Sequence, residues 1–303
     1  MKKAIPRPER DLATRLVSSL LMLRTSRATL RTLANNAIAS VGTARNVVQC
    51  VTDFLTWRTA ADISLIEPVT RAELEAYLTH ESFRWRQKTV DQHRQALSLV
   101  FCVTLMDVGA GIATHTRGRA YSAAEMEHIA VRQSEHNALA TRIAFHSGLR
   151  ASELIELRIA DEFPAADRPW RGDLFRGLND GVLYGTTGKG GLARRVWIPA
   201  DLHDQLQARR RTAPRYVTDR GVVRSAFFDI GGGLALSQSF SDASQRALGF
   251  SLGFHGLRHA YVQNRLETLL SLGVAPIDAL EIISQEVGHL RPDITTAYLV
   301  GRC

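Results

Sequence analysis

The chain has 303 residues, 45% of them hydrophobic and 22% charged, which leaves room for two apolar cores and excludes a disordered or fibrous protein. Its net charge of +8 is uneven: residues 1–120 hold 17 Lys and Arg against 10 Asp and Glu, while residues 121–303 hold 21 against 20. The three cysteines, Cys50, Cys102 and Cys303, form no C-x-x-C pair, and Glu9, Arg10, Asp11 and Arg15 break any leader-like apolar stretch, so neither a disulfide framework, a zinc site, a signal peptide nor a membrane span is expected, and a reducing cytoplasm fits best.

The first half reads as helical. Leu12, Leu16, Leu20, Leu23 and Leu30 recur at spacings of three and four with arginines between them over residues 11–35. Thr43 is placed to cap a second helix carrying Val47, Val51, Phe54 and Leu55, and Pro68 or Thr70 opens a third with Leu74 and Leu78. A fourth begins near Thr89 with Gln92, Ala96, Leu99 and Val103 on one face, and fades at Gly109 to Gly111. An all-α N-terminal domain over residues 1–111 follows, with residues 1–35 as an extra helical segment. Its basic excess suits a polyanion, since neutralised phosphates release counterions, although a solvated basic face would carry the same charge.

Residues 112–120 read as a polar, basic linker, and Ser122 with Glu125 forms a capping box at the start of a second domain, 121–303. There a helix through Leu139 and Phe145 stops at Gly148, and another is expected from about Ala151, burying Leu154 and Leu157. Residues 183–187 and 194–198 alternate around Gly188, Lys189, Gly190 and Gly191, a β-hairpin with Lys189 at its tip. Arg209, Arg210 and Arg211 read as the solvated face of a helix, and Leu257, Tyr261, Leu266 and Leu269 return to helical spacing. The fold class is mainly α: a helical domain, then a mixed α/β domain with a small hairpin or sheet.

Six residues of the second domain carry candidate chemistry: Arg150, Lys189, His255, Arg258, His289 and Tyr298. Arg150 follows a Gly-terminated turn, where a guanidinium can offer its planar fork to a phosphate and Glu153 can fix its side chain. His255 and His259 stand four apart as zinc ligands would, but Gly256 occupies the place of the glutamate base of a zinc peptidase, so no metal is expected. His255 and Arg258 instead point one way from a helix N-terminus, where backbone dipoles favour an anion. Lys189 lies between glycines too closely spaced for a P-loop, and Gly190 stands where that loop needs Ser or Thr. The chain has 34 arginines and four lysines, and Lys189 is the sole lysine after Lys88. A proton donor must be able to lose its proton, which lysine can do and arginine effectively cannot. Tyr298 offers a phenol, of pKa about 10, that ionises with modest help beside guanidiniums. Together these groups can hold the non-bridging oxygens of one phosphodiester, protonate a leaving oxygen and attack phosphorus, with neither metal nor nucleotide cofactor.

The stretch from Phe145 through Gly148, Leu149, Arg150, Ser152 and Glu153 to Leu154, the stretch Thr187 to Gly191, the run His255 to His259, and Gly288-His289 followed nine residues later by Tyr298 closely resemble the tyrosine recombinase (phage integrase) family. The resemblance covers about two thirds of the chain. It implies a catalytic set of Arg150, Lys189, His255, Arg258, His289 and Tyr298, in which Tyr298 forms a 3′-phosphotyrosyl link and Lys189 protonates the departing 5′-oxygen. A histidine at the place of His259 is in the family more often a packing residue and stays outside the set. The resemblance further implies double-stranded DNA as partner, a homo-oligomer (tetramer) on paired sites, and site-specific recombination that integrates or excises a mobile element. A type IB topoisomerase-like relaxing enzyme and a catalytically idle DNA-binding regulator on the same scaffold are the alternatives. Residues 161–181 and 259–289 are longer than compact members need and are expected as surface insertions. Residues 1–35 are too short for a separate arm-site DNA domain, and five residues follow Tyr298 where many relatives extend a tail helix onto a neighbouring subunit.

Overall fold

Side-chain caps and leucine spacing organise the N-terminal part of the chain, whose computed structural model describes residues 8–22, 37–113, 118–163 and 165–299. Two compact units result, Met1–His115 and Thr116–Cys303. In the first, helix α1 spans Pro8–Ser18, α2 Val41–Ala60, α3 Arg71–Ser82 and α4 Gln87–Phe101. Helix α1 packs on α2 and buries Ala13 and Val17. It stops at Ser18 because the chain turns so that Leu21 bridges to Ile38, with the Met22 N–H donating to the Ile38 carbonyl at 3.0 Å. Leu23 and Leu30 lie outside the described residues, as do Thr114 to Arg117 of the expected linker.

Ser40, rather than Thr43, caps α2: its hydroxyl accepts the Thr43 N–H at 3.1 Å. Thr70 and Glu73 form a full capping box on α3. The buried face of α4 is Val90, His93, Ala96 and Leu97, shifted from the face expected through Gln92, Leu99 and Val103. His93 accounts for the shift, since its ring packs against Trp85 with centroids 4.1 Å apart and its Nδ1 shares a hydrogen bond with the Tyr77 hydroxyl at 3.1 Å. Phe54, Leu55, Leu74, Tyr77, Leu78 and Leu97 complete this core. Each such side chain contributes about 1.5–3 kcal/mol by leaving water.

The second unit contains α5 (Ala123–Ala130), α6 (Glu135–Ser147), β1 (Arg158–Ile159), β2 (Gly181–Thr187), β3 (Ala193–Pro199), α7 (Ala200–Gln207), β4 (Arg210–Asp219), β5 (Val222–Phe228), α8 (Gly233–Leu248), α9 (His255–Ser271), α10 (Pro276–Glu286) and α11 (Pro292–Thr295), then a 3-10 turn, Thr296–Tyr298. Strands β1, β2 and β3 form one antiparallel sheet, with Tyr184 opposite Val196 and Thr186 opposite Arg194, and β4 and β5 form a separate hairpin. One core joins Leu139, Ile143, Leu154, Tyr184, Val196, Ile198, Phe240 and Leu257. A second gathers Tyr261, Val262, Leu269, Ile282, Ile283 and Val287 with Tyr298.

Two expectations change here. Residues 151–156 form successive turns instead of a helix, although Leu154 and Leu157 are buried as expected. The Glu153 carboxylate takes the Arg150 N–H at 2.9 Å and the Glu153 carbonyl takes the Thr186 hydroxyl at 2.7 Å, which ties this segment to β2 and leaves no room for helical propagation. Helix α7 stops at Gln207, and Arg210 and Arg211 open β4, where the β-prone Tyr216, Val217 and Thr218 pair across to β5. The long segment before β2 is tied down on α10 and α9: the Arg171 and Phe175 N–H groups donate to Gln285 Oε1 and Glu286 Oε1, each at 2.8 Å, and Arg265 Nη2 reaches the Arg176 carbonyl at 3.1 Å. Among the described residues no helix is long and apolar enough to cross a membrane.

Candidate active site

Helix α6 ends on Gly148 in the left-handed region at φ 62°, where its N–H closes on the Ala144 carbonyl. A Cβ there would meet the Tyr261 ring at 2.5 Å, so both conformation and space require glycine. The reversal delivers Arg150 to Glu153: Nη1 donates to Oε1 at 2.6 Å, and the Arg150 N–H donates to Oε2 at 2.9 Å. Arg194 Nη2 donates to the same Oε2 at 2.8 Å, and Arg258 Nη1 lies 3.8 Å from it. Burial alone would raise the Glu153 carboxyl, but Arg194, Arg258 and Arg150 outweigh it and hold the group down at about 2. One carboxylate thus faces three guanidiniums, and the centre is cationic.

Helix α9 starts at His255 and carries Arg258 one turn on, with no exposure to solvent. Arg258 Nη1 donates to the Gly148 carbonyl at 2.7 Å, and Nη2 donates to the Val287 carbonyl and meets His289 Nε2 at 3.2 Å. Burial, then the neighbouring Arg150, pull the Arg258 pKa to about 10, so it is charged at neutral pH and acts there only as a donor. His289 Nε2 is therefore an acceptor. The turn after α10 brings this histidine in through Gly288, at φ 70°, whose Cα lies so close to the Arg194 side chain that a Cβ would meet Cδ at 2.8 Å.

Tyr298, 7% exposed, closes the group. Its hydroxyl lies 3.1 Å from His255 Nε2 and 3.3 Å from His289 Nε2, and the Arg258 guanidinium is 5.9 Å from its ring. Burial first, then Arg258, push both histidines to about 3, so both are neutral at pH 7. With His289 Nε2 already accepting from Arg258, the hydroxyl can pass its proton to His255 Nε2 and present oxygen to an anion in the cationic pocket.

The structure thus brings together five of the six residues singled out in the sequence: Arg150, His255, Arg258, His289 and Tyr298. The backbone of Lys189 lies in the turn Lys189–Gly191 between β2 and β3, where Gly190 and Gly191 have φ of 76° and 81°. Its side chain lies outside the described residues. Sequence reasoning missed Arg194. Its signal was there: Arg194, Val196 and Ile198 share the buried side of an alternating strand, and a cation on an apolar face needs a partner. His259, set aside in the sequence, packs against Tyr298 with tilted rings whose centroids are 4.5 Å apart, and burial followed by Arg119 pushes its pKa to about 4.

No protein-family model matches the chain, and no curated protein matches it in sequence. Solved structures do resemble it. A post-cleavage complex of the XerH site-specific recombinase with palindromic difH substrate aligns over 98% of this chain and 94% of its own, with a TM-score of 0.56 and 13% identity. A lambda integrase (75–356) dimer on a COC′ core site aligns over 89% and 92%, with a TM-score of 0.54 and 16% identity. A lambda integrase tetramer on a Holliday junction aligns over 88% and 74%, with a TM-score of 0.53 and 16% identity. Identities this low speak to architecture alone, and the architecture is specific: the chain has the fold of the tyrosine recombinases.

Proposed function

We propose that the protein is a site-specific DNA recombinase that cuts and rejoins duplex DNA through a 3′-phosphotyrosyl intermediate. The observation that carries this reading is the Tyr298 hydroxyl, 3.1 Å and 3.3 Å from two neutral histidines beside three guanidiniums gathered on the buried Glu153 carboxylate. Tyr298 Oη attacks phosphorus as its proton passes to His255, the bond from phosphorus to O5′ breaks, and Lys189 protonates the departing oxygen. Arg150, Arg258 and the two histidines stabilise the negative charge that builds on the non-bridging oxygens. A 5′-hydroxyl of a partner strand then attacks the phosphotyrosine and expels Tyr298, and rejoining needs no external energy because the ester conserves that of the broken bond.

The substrate is double-stranded DNA, and the acting species is a tetramer on paired sites, by analogy with the XerH complex on its difH substrate and the lambda integrase tetramer on a Holliday junction. The biological outcome is integration or excision of a mobile element. Residues 1–111 supply most of the electrostatic grip, given the basic excess before residue 121. Denaturing capture tests the reading. Cells expressing the protein are lysed in detergent and DNA that stays attached is sequenced, with wild type expected to retain fragments ending at one recurrent site and Tyr298→Phe to retain none. Equal retention by the Phe variant would place the nucleophile elsewhere.

A further inference from the structure

Beside the candidate active site a cleft of about 210 Å³ is lined by Arg150, Ser152, Asp219, Arg220 and His255. Two of these, Arg150 and His255, belong to the group already described. Arg220 comes from the β4–β5 hairpin, and its backbone is unusual. It and Gly221 are the two central residues of the turn, with φ of 50° and 78°, and Asp219 pairs with Val222 across it. A two-residue turn with positive φ at both centres favours Asn-Gly or Asp-Gly, because a longer side chain meets its own backbone in that region. An arginine standing there against local preference points to a use for its side chain.

The turn is also held in place. Asp219, 8% exposed, accepts the Leu234 N–H at 2.8 Å at the start of α8, and Gly233, at φ 63°, permits the approach, since a Cβ there would meet Asp219 Oδ1 at 2.5 Å. The aspartate's charge is thereby directed at a helix N-terminus, where the dipole offsets it. Arg150, Arg220 and Ser152 thus line the cleft beside His255.

We propose that this cleft is a second phosphate site, in which Arg220 holds a phosphodiester flanking the one that Tyr298 attacks. The inference rests on the reading of duplex DNA as substrate. Each strand of a duplex carries a phosphate about every 3.4 Å of rise, so a strand laid against Arg150 and His255 necessarily brings further anions alongside. Arg220 thereby fixes the register of the strand on the catalytic group.

Salt dependence of binding to a random-sequence 30-base-pair duplex tests this without requiring cleavage. Arg220→Asn suits the turn, so its melting temperature should equal or exceed that of wild type, while the slope of log affinity against log salt falls by about 0.9, the loss of one phosphate contact. Arg220→Lys should restore the slope. Arg215→Asn removes the same charge from the same hairpin, outside the cleft, and should leave the slope unchanged. Equal slopes for wild type and Arg220→Asn would overturn the site, as would an equal fall in Arg215→Asn, which would make the hairpin a diffuse basic surface. A lower melting temperature for Arg220→Asn would give the arginine a structural role and overturn it too. Failure of covalent capture by wild type would sink the recombinase reading and leave this slope comparison standing, whereas equal slopes sink the second site even where capture succeeds.

Discussion

Two ion pairs of the second unit have the same length and opposite meanings. Arg194 Nη2 lies 2.8 Å from Glu153 with side chains 1% and 2% exposed, and Arg209 Nη2 lies 2.8 Å from Glu135 with side chains 29% and 91% exposed. The surface pair trades hydration for attraction at near parity. In the buried pair both charges have left water, and only partners within the protein compensate them. Distance alone therefore says little about an ion pair, and burial of both partners decides how much stability rests on it.

Removing one buried partner is the strongest way to break that contrast. Arg194→Ala should lower the unfolding free energy by about 3–5 kcal/mol, read from urea midpoints, because it strips Glu153 of a direct donor and frees the Glu286 carbonyl that Arg194 Nη1 holds at 2.6 Å. A loss below 1 kcal/mol would make the pair no different from one at the surface. Next comes acid. Above about pH 6.5 His255 and His289 are neutral in both the folded and the unfolded chain, but towards about pH 3 the unfolded chain takes up protons that the folded rings refuse, and stability falls. Glu153 adds a loss as pH drops from its ordinary 4.5 through about 2, because its folded pKa is depressed. Urea midpoints measured from pH 7 to pH 3 should decline steadily in wild type and less steeply in His289→Gln, and parallel curves would remove the depressed histidine. Smallest is the surface pair: Arg209→Ala should change stability by less than about 1 kcal/mol, and a larger change would give that arginine a role beyond its exposed partner.

Much of this arrangement was legible because its signals are local. Gly148 announces the end of α6, the Ser122 and Glu125 box starts α5, and glycines around Lys189 mark the turn between β2 and β3. The hub around Glu153 was not, since its cations come from positions 150, 194 and 258, and no local period relates them. The β4–β5 hairpin was missed for a different reason. Most of β4 is exposed on both faces, so its residues show no apolar alternation, and the arginines at its start read as a charged helix face. The displaced cap of α2 shows the limit of composition: Ser40 and Thr43 are both favoured cap residues, and the extended backbone at Ser40, φ −128°, identifies the one that caps.

The central claim is that the Tyr298 oxygen takes a phosphoryl group from DNA. Wild-type protein trapped on DNA under denaturing conditions can be digested with nuclease and protease, and the modified peptide sequenced by mass spectrometry. The peptide should carry a nucleotide joined through its 3′-phosphate to Tyr298. A nucleotide on any other residue, or one joined through its 5′-phosphate, would contradict it.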